Sequence, residues 1–155
     1  MRKILILTAT LLLSACGGDS STGPEDGATL ENGSMSARID GAAWTATSAL
    51  AVSSEGGILA FAGSDETQTT VGIGLIPDGP GTYPMGPNQP TNADLTFGGG
   101  KSWGASPFLG SGSVTLTSMS EHRATGTFAF NADPVESTGS TGTKVVTEGT
   151  FDVTF

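Results

Sequence analysis

Gly126-Thr127-Phe128-Ala129-Phe130 returns near the end of the chain as Gly149-Thr150-Phe151-Asp152-Val153. In both copies the large apolar residues take alternate positions, with Thr, Ala or Asp between them. A period of two puts one set of side chains on each face of a strand, so each copy reads as a half-buried β-strand. The copies read as antiparallel neighbours in one sheet; five residues are too few to claim a duplication. Phe128, Phe130, Phe151 and Val153 are expected to face one interior, shared with Trp44 and Ile73.

The same period extends outward from this pair. Ser113 to Thr117 alternates strictly, and Lys144 to Phe155 closes the chain as a strand. Upstream, Met35, Ala37 and Ile39 share one side, and Asp40-Gly41 is a hairpin signal. Ala43 to Val52 reads as one strand, turning at Glu55-Gly56-Gly57 into Ile58 to Ala62. After Asp65-Glu66 comes Thr69 to Ile76. Five prolines and three glycines between Pro77 and Pro90 argue against any ladder there. Asp94 to Phe97 reads as a short strand, Lys101 to Leu109 as a poor one interrupted by Pro107, and Ala132 to Gly142 as a polar loop. No segment keeps a 3.6-residue period for two turns. The pattern predicts an all-β fold, a single antiparallel β-sandwich or flattened β-barrel of about eight or nine strands over residues 34–155.

Composition bounds the rest. The chain has 155 residues, enough for one domain. Leu, Ile, Val and Phe are sparse, but thin strands with Thr outside and Phe or Val inside need few of them. With 15 acidic and 6 basic residues the formal charge is −9. No basic surface exists for nucleic acid phosphates. One cysteine and one histidine allow neither a disulfide framework nor a Cys/His zinc cluster.

The amino-terminal residues read as an address. Arg2 and Lys3 precede an apolar run from Ile4 to Leu13, too short to span a bilayer and suited to a signal peptide. Leu13-Ser14-Ala15-Cys16 then resembles the lipobox of bacterial lipoprotein precursors. That resemblance implies acylation of Cys16, cleavage before it, and a membrane as partner through the acyl chains, since two chains anchor stably. Residues 1–15 are then the signal and residues 16–33 a Gly/Ser/Thr/Pro-rich linker. Cleavage removes Arg2 and Lys3, and with them any attraction to anionic head groups. Gly17 after the cysteine is permissive for delivery to the outer membrane of a two-membrane envelope.

Beyond the lipobox, the chain resembles a family of bacterial lipoproteins classed as a domain of unknown function. The residues carrying the likeness are Ser36 to Ala46, with Ile39-Asp40-Gly41 and Trp44, then Gly81-Thr82-Tyr83-Pro84, Gly126 to Phe130 and Gly149 to Phe155. The resemblance implies an all-β, membrane-tethered envelope domain and carries over no catalytic or binding residue.

Candidate chemistry is thin. His122 beside Glu121 has the residue types of an acid–base pair, yet both sit at an expected hairpin tip where neighbours point apart. Asp65-Glu66 and Asp133 with Glu136 lack the run of oxygen ligands that a calcium loop needs. Gly98-Gly99-Gly100-Lys101-Ser102 lacks the spacing and the following helix of a phosphate loop. No catalytic residue, metal site or cofactor is expected. The irregular stretch Pro77 to Leu109 is the best ligand site: Tyr83 and Trp103 offer flat apolar faces, and Asp94, with Asp78, Asn88, Gln89 and Asn92, offers hydrogen-bonding groups. The opposing expectation for both aromatics, and for Phe108, is that they plug the core. The functional reading is a non-enzymatic envelope module, binding or structural, whose ligand would be a carbohydrate, a peptide or an envelope protein. The competing class is a small envelope hydrolase, disfavoured by the missing nucleophile–base pair.

Overall fold

The computed structural model describes residues 33–155 other than Glu55. The signal segment, Cys16 and nearly all of the linker lie outside these residues. The fold is all-β and every strand pairing is antiparallel, as the period-2 pattern predicts. The described residues form eleven strands: β1 (Ser34–Ile39), β2 (Ala42–Thr45), β3 (Ser48–Ser53), β4 (Leu59–Ser64), β5 (Thr70–Leu75), β6 (Gly81–Met85), β7 (Asn92–Phe97), β8 (Lys101–Ala105), β9 (Ser111–Met119), β10 (Arg123–Pro134) and β11 (Lys144–Thr154). One hydrogen-bonded path runs β2-β1-β11-β10-β8-β7-β5-β4-β3, with β9 and then β6 branching from β10. The path curls into two layers. The amino-terminal part of β10 pairs with β9 and β11, while its last residues, Asp133 and Pro134, pair with Gly104 and Trp103 of β8.

Two strands exceed the expected count, for separate reasons. The first is that Ala43 to Val52 is two strands. Ala46 N–H still donates to Met35 O of β1, but Thr47 N–H donates to Ser64 O of β4, so the chain changes layers between them. The inward side slips by one residue there: Trp44 and Ala49 are both buried. The second is that Gly81–Met85 forms β6 despite its proline. It pairs only with β9 and is therefore an edge strand, where a missing N–H is tolerated. The expected polar loop from Ala132 also starts later, because β10 runs on to Pro134 with Ala132 fully buried. Asp40-Gly41 makes the expected two-residue hairpin, with φ of 50° and 81° at its two positions.

The core lies between the layers. Phe128, Phe130, Phe151, Val153, Trp44 and Ile73 are all buried in it, as expected. The two Gly-Thr-Phe segments interlock. Gly126 lies opposite Phe151, and Phe128 lies opposite Gly149. A β-carbon on Gly126 would sit 2.7 Å from Cζ of Phe151, and one on Gly149 would collide with the ring of Phe128. Each glycine is the space that the other segment's phenyl ring occupies. Phe151 then stacks on Phe61 of β4 across the core, with ring centroids 4.4 Å apart.

Burying one such ring stabilises by about 1.5–3 kcal/mol. Phe151→Ala is expected to cost about 3–5 kcal/mol, because it also leaves a cavity between Phe61 and Phe128. Gly149→Ala is expected to cost about 1–3 kcal/mol through overpacking against Phe128. Urea midpoints measure both; an unchanged midpoint for either variant would contradict the interlock.

Candidate functional site

The three expected ligand residues are not brought together. Trp103 is only 5% exposed. Its indole N–H donates to Gly142 O at 2.8 Å, and Phe97 meets it edge-on at 5.3 Å. Lys144 Nζ lies 5.6 Å from the Trp103 ring centroid while bonding Asp40 Oδ2 at 2.7 Å. Trp103 is therefore a core side chain, and its placement on a ligand face is corrected: its flat faces and its polar handle are already engaged. Tyr83 is half-buried on β6 in the other layer. Its hydroxyl donates to Asp78 Oδ1 or Gly79 O and accepts from Asp78 N–H, so it fastens the loop before β6. Asp94 on β7 is paired with Gly104, one register step from the Leu95–Trp103 pair, and so points to the opposite face from Trp103.

That opposite face holds the most distinctive surface of the domain. Register carries two rows straight across four strands. One is Leu50, Ala62, Gly72 and Asp94; the other is Val52, Ala60, Gly74 and Asn92. Alternation sends all eight outward, because their neighbours Phe61, Val71, Ile73 and Leu95 are buried in the core. The two middle strands thus present only Ala and Gly, and a trough of about 410 Å³ lies above them. Leu50 and Val52 wall one side; Asp94 and Asn92 wall the other. Ile58 and Ile76 lie beyond the ends of β4 and β5, on the same outward phase. Leu50, Val52, Ile58 and Ile76 are 44%, 64%, 47% and 54% exposed. An exposed apolar set gathered around a concavity marks an interaction surface more often than scattered single residues do.

The outer face of the other layer is a useful control. There register lines up Thr82, Thr115, Thr127, Thr150, Ser36 and Thr45 across six strands. Thr82 bonds Thr115 and Ser36 bonds Thr150, each at 2.9 Å. This face has a concavity of about 410 Å³ as well, but Ser113, Thr115, Thr127 and Thr150 line it with hydroxyls. The same chain therefore has the residues to cover an outer face with hydroxyls, and does not do so over the trough.

Asp94 is the unusual group of the trough. Its outward side is open to solvent, but its carboxyl group leans down over Gly72, where a β-carbon would lie 2.5 Å from Oδ1. Asn92 leans over Gly74 in the same way. Desolvation holds the Asp94 pKa above its ordinary 3.8. No hydrogen bond or ion pair reaches it from the described residues. Asp40, Asp65, Asp78, Asp133, Glu148 and Asp152 have intramolecular partners, while Glu66, Glu121 and Glu136 stand exposed outside the strands. Asp65 is desolvated too, yet bonds from Thr69 N–H and from the Thr67 hydroxyl and N–H outweigh that and hold its pKa low. Asp133 accepts from Gly110 N–H and the Thr143 hydroxyl, pinning two loops, and is no partner for Glu136 in a metal site. His122 Nδ1 lies 3.3 Å from Phe155 O at the β9–β10 turn, and no hydrogen bond joins it to the Glu121 side chain. Gly98 to Gly100 join β7 to β8 as a hairpin turn, so no helix follows to bind phosphate. Among the described residues no group of three or more His, Cys, Asp or Glu could hold a metal.

The sign of the Asp94 effect on stability follows from linkage. A carboxyl with a raised folded-state pKa holds its proton longer when folded, so the domain loses stability as pH rises from 3.8 through that raised value. Above it the full penalty remains. Asp94→Asn is expected to raise the melting temperature at neutral pH and to leave it unchanged below pH 3.8. Scanning calorimetry at both pH values checks this; a lower melting temperature at neutral pH would mean that the carboxylate has a stabilising partner.

No helix of the described residues is long and apolar enough to cross a membrane. No curated protein and no solved structure matches the chain. The model of a domain of unknown function, DUF6252, matches residues 31–153, which takes in ten strands and nearly all of the eleventh. The chain belongs to that family.

Proposed function

We propose that this chain is a lipid-anchored envelope protein whose β domain is a non-enzymatic binding module, with the trough over β4 and β5 as its binding face. The observation that carries the reading is the trough itself: an Ala/Gly floor two strands wide, walled by exposed Leu50 and Val52 on one side and by Asp94 and Asn92 on the other. A flat apolar group laid on that floor is covered on three sides. The anchor in this reading is Cys16 at the end of the signal-type segment, with outer-membrane delivery permitted by Gly17. The linker, about 17 residues of flexible composition, gives a reach of roughly 20–25 Å, enough to hold the domain clear of head groups.

Two measurements test it. Cys16→Ser is expected to abolish incorporation of labelled palmitate and release the protein from the membrane fraction; unchanged fractionation would refute the anchor. Nile red, a neutral apolar dye, is expected to gain fluorescence on the native domain, and Ala62→Trp, which fills the trough from its floor, is expected to remove at least nine-tenths of that gain while keeping the melting temperature. Equal fluorescence in both proteins would refute the binding face.

A further inference from the structure

We infer that Asp94 is the anchoring group for a lysine or arginine side chain of an extended peptide lying along the trough, an inference that rests on the trough being a binding face. Asp94 stands between two glycines at its own register position, Gly72 on β5 and Gly104 on β8. Without a side chain at Gly72 the carboxylate can drop to the trough floor instead of standing up into water. A carboxylate placed there gives up hydration, and the described residues return nothing for it. A cation arriving on a ligand restores that interaction, and does so beside an apolar floor where charge pairing is stronger than in bulk water.

The domain's own cations do not serve. Arg38 bonds Glu148, Arg123 bonds Asp152 and Lys144 bonds Asp40. Lys101 lies at the start of β8, opposite Phe97 and out of phase with the outward set. The formal charge of −9 favours a cationic partner further.

The shape of the trough selects an extended chain. With β3 walling one side and β7 the other, it runs parallel to β4 and β5. Along it the surface changes in order: the Ser64 and Thr70 hydroxyls, 2.7 Å apart, then Asp94, then Asn92, then Ile58 and Ile76. Successive steps are two residues of strand, about 6.8 Å, which is also the spacing of same-side residues in an extended peptide. A peptide with its cation at Asp94 therefore sets its next same-side residue at Asn92 and the one after that, four positions from the cation, on Ile58 and Ile76. The recognised pattern is a basic residue and an aliphatic residue four apart.

A random heptapeptide library displayed on phage and selected on the full chain tests this. Enrichment of Lys or Arg with an aliphatic residue four positions away is expected. A synthetic copy of the leading peptide is expected to bind at least tenfold more weakly when its basic residue is replaced by norleucine, and equally so on Asp94→Asn. Asp94→Lys is expected to turn the selection toward Asp and Glu. Selection without basic enrichment, or a peptide that binds Asp94→Asn as it binds the native chain, overturns the inference. If Ala62→Trp abolishes the selected binding while Asp94→Asn does not, the trough stands as a binding face and only the charge assignment falls. Full competition by n-butylammonium at the peptide's own concentration would mean that the site takes free amines, and would overturn the peptide assignment.

Discussion

Everything in this domain depends on the exchange of space between β10 and β11. Gly126 makes room for Phe151, and Gly149 makes room for Phe128. The exchange works in one register only, since a shift of one residue would point each ring at the wrong face. It thereby fixes the longest pair of strands, and that pair fixes the rest. β1 and β2 extend one side, β9 and β6 the other, and the far end of β10 starts the second layer. The stack of Phe151 on Phe61 then closes the layers on each other.

Once the layers are closed, the inner face is filled by alternate large residues and the outer faces are free to differ. On the first layer they carry hydroxyls. On the second they carry Ala, Gly and a rim of exposed aliphatics. Val71, Ile73 and Leu75 bury fully on β5, so that strand is held from inside and tolerates two glycines outside. The trough is possible because the core does not need those positions.

The amino-acid sequence makes the strands of the last third legible, because Phe and Val mark the inward side without ambiguity. It misleads at Ala43 to Val52, where alanines mark neither side and the one-residue slip between Trp44 and Ala49 has no signature. It misleads at Gly81–Met85, where prolines suggest no strand and an edge position admits one. Asp94 is identified from the sequence but in the wrong company. Tyr83 and Trp103 attract attention as aromatics, and both have intramolecular uses. The trough has a signal, Ala60-x-Ala62 and Gly72-x-Gly74, but small residues acquire meaning only when cross-strand register sets the pairs side by side, and one sequence does not supply that register.

The glycines of the domain separate by what fills the space they leave. At Gly126 and Gly149 the space holds core phenyl rings, and at Gly63 it holds Met35 and Ala46. These serve packing. At Gly72 and Gly74 the space holds Asp94 Oδ1 and Asn92 Oδ1, polar groups that would be better hydrated if a side chain pushed them outward. A strand interior is weakened by glycine and a carboxylate is weakened by desolvation, so this arrangement lowers stability twice. Packing gives no reason for it, since the inward neighbours are buried whichever residue stands outside. Local rules of this kind are broken at sites where a partner restores what is lost, and the trough that Asp94 and Asn92 wall is an open surface from which a partner reaches both.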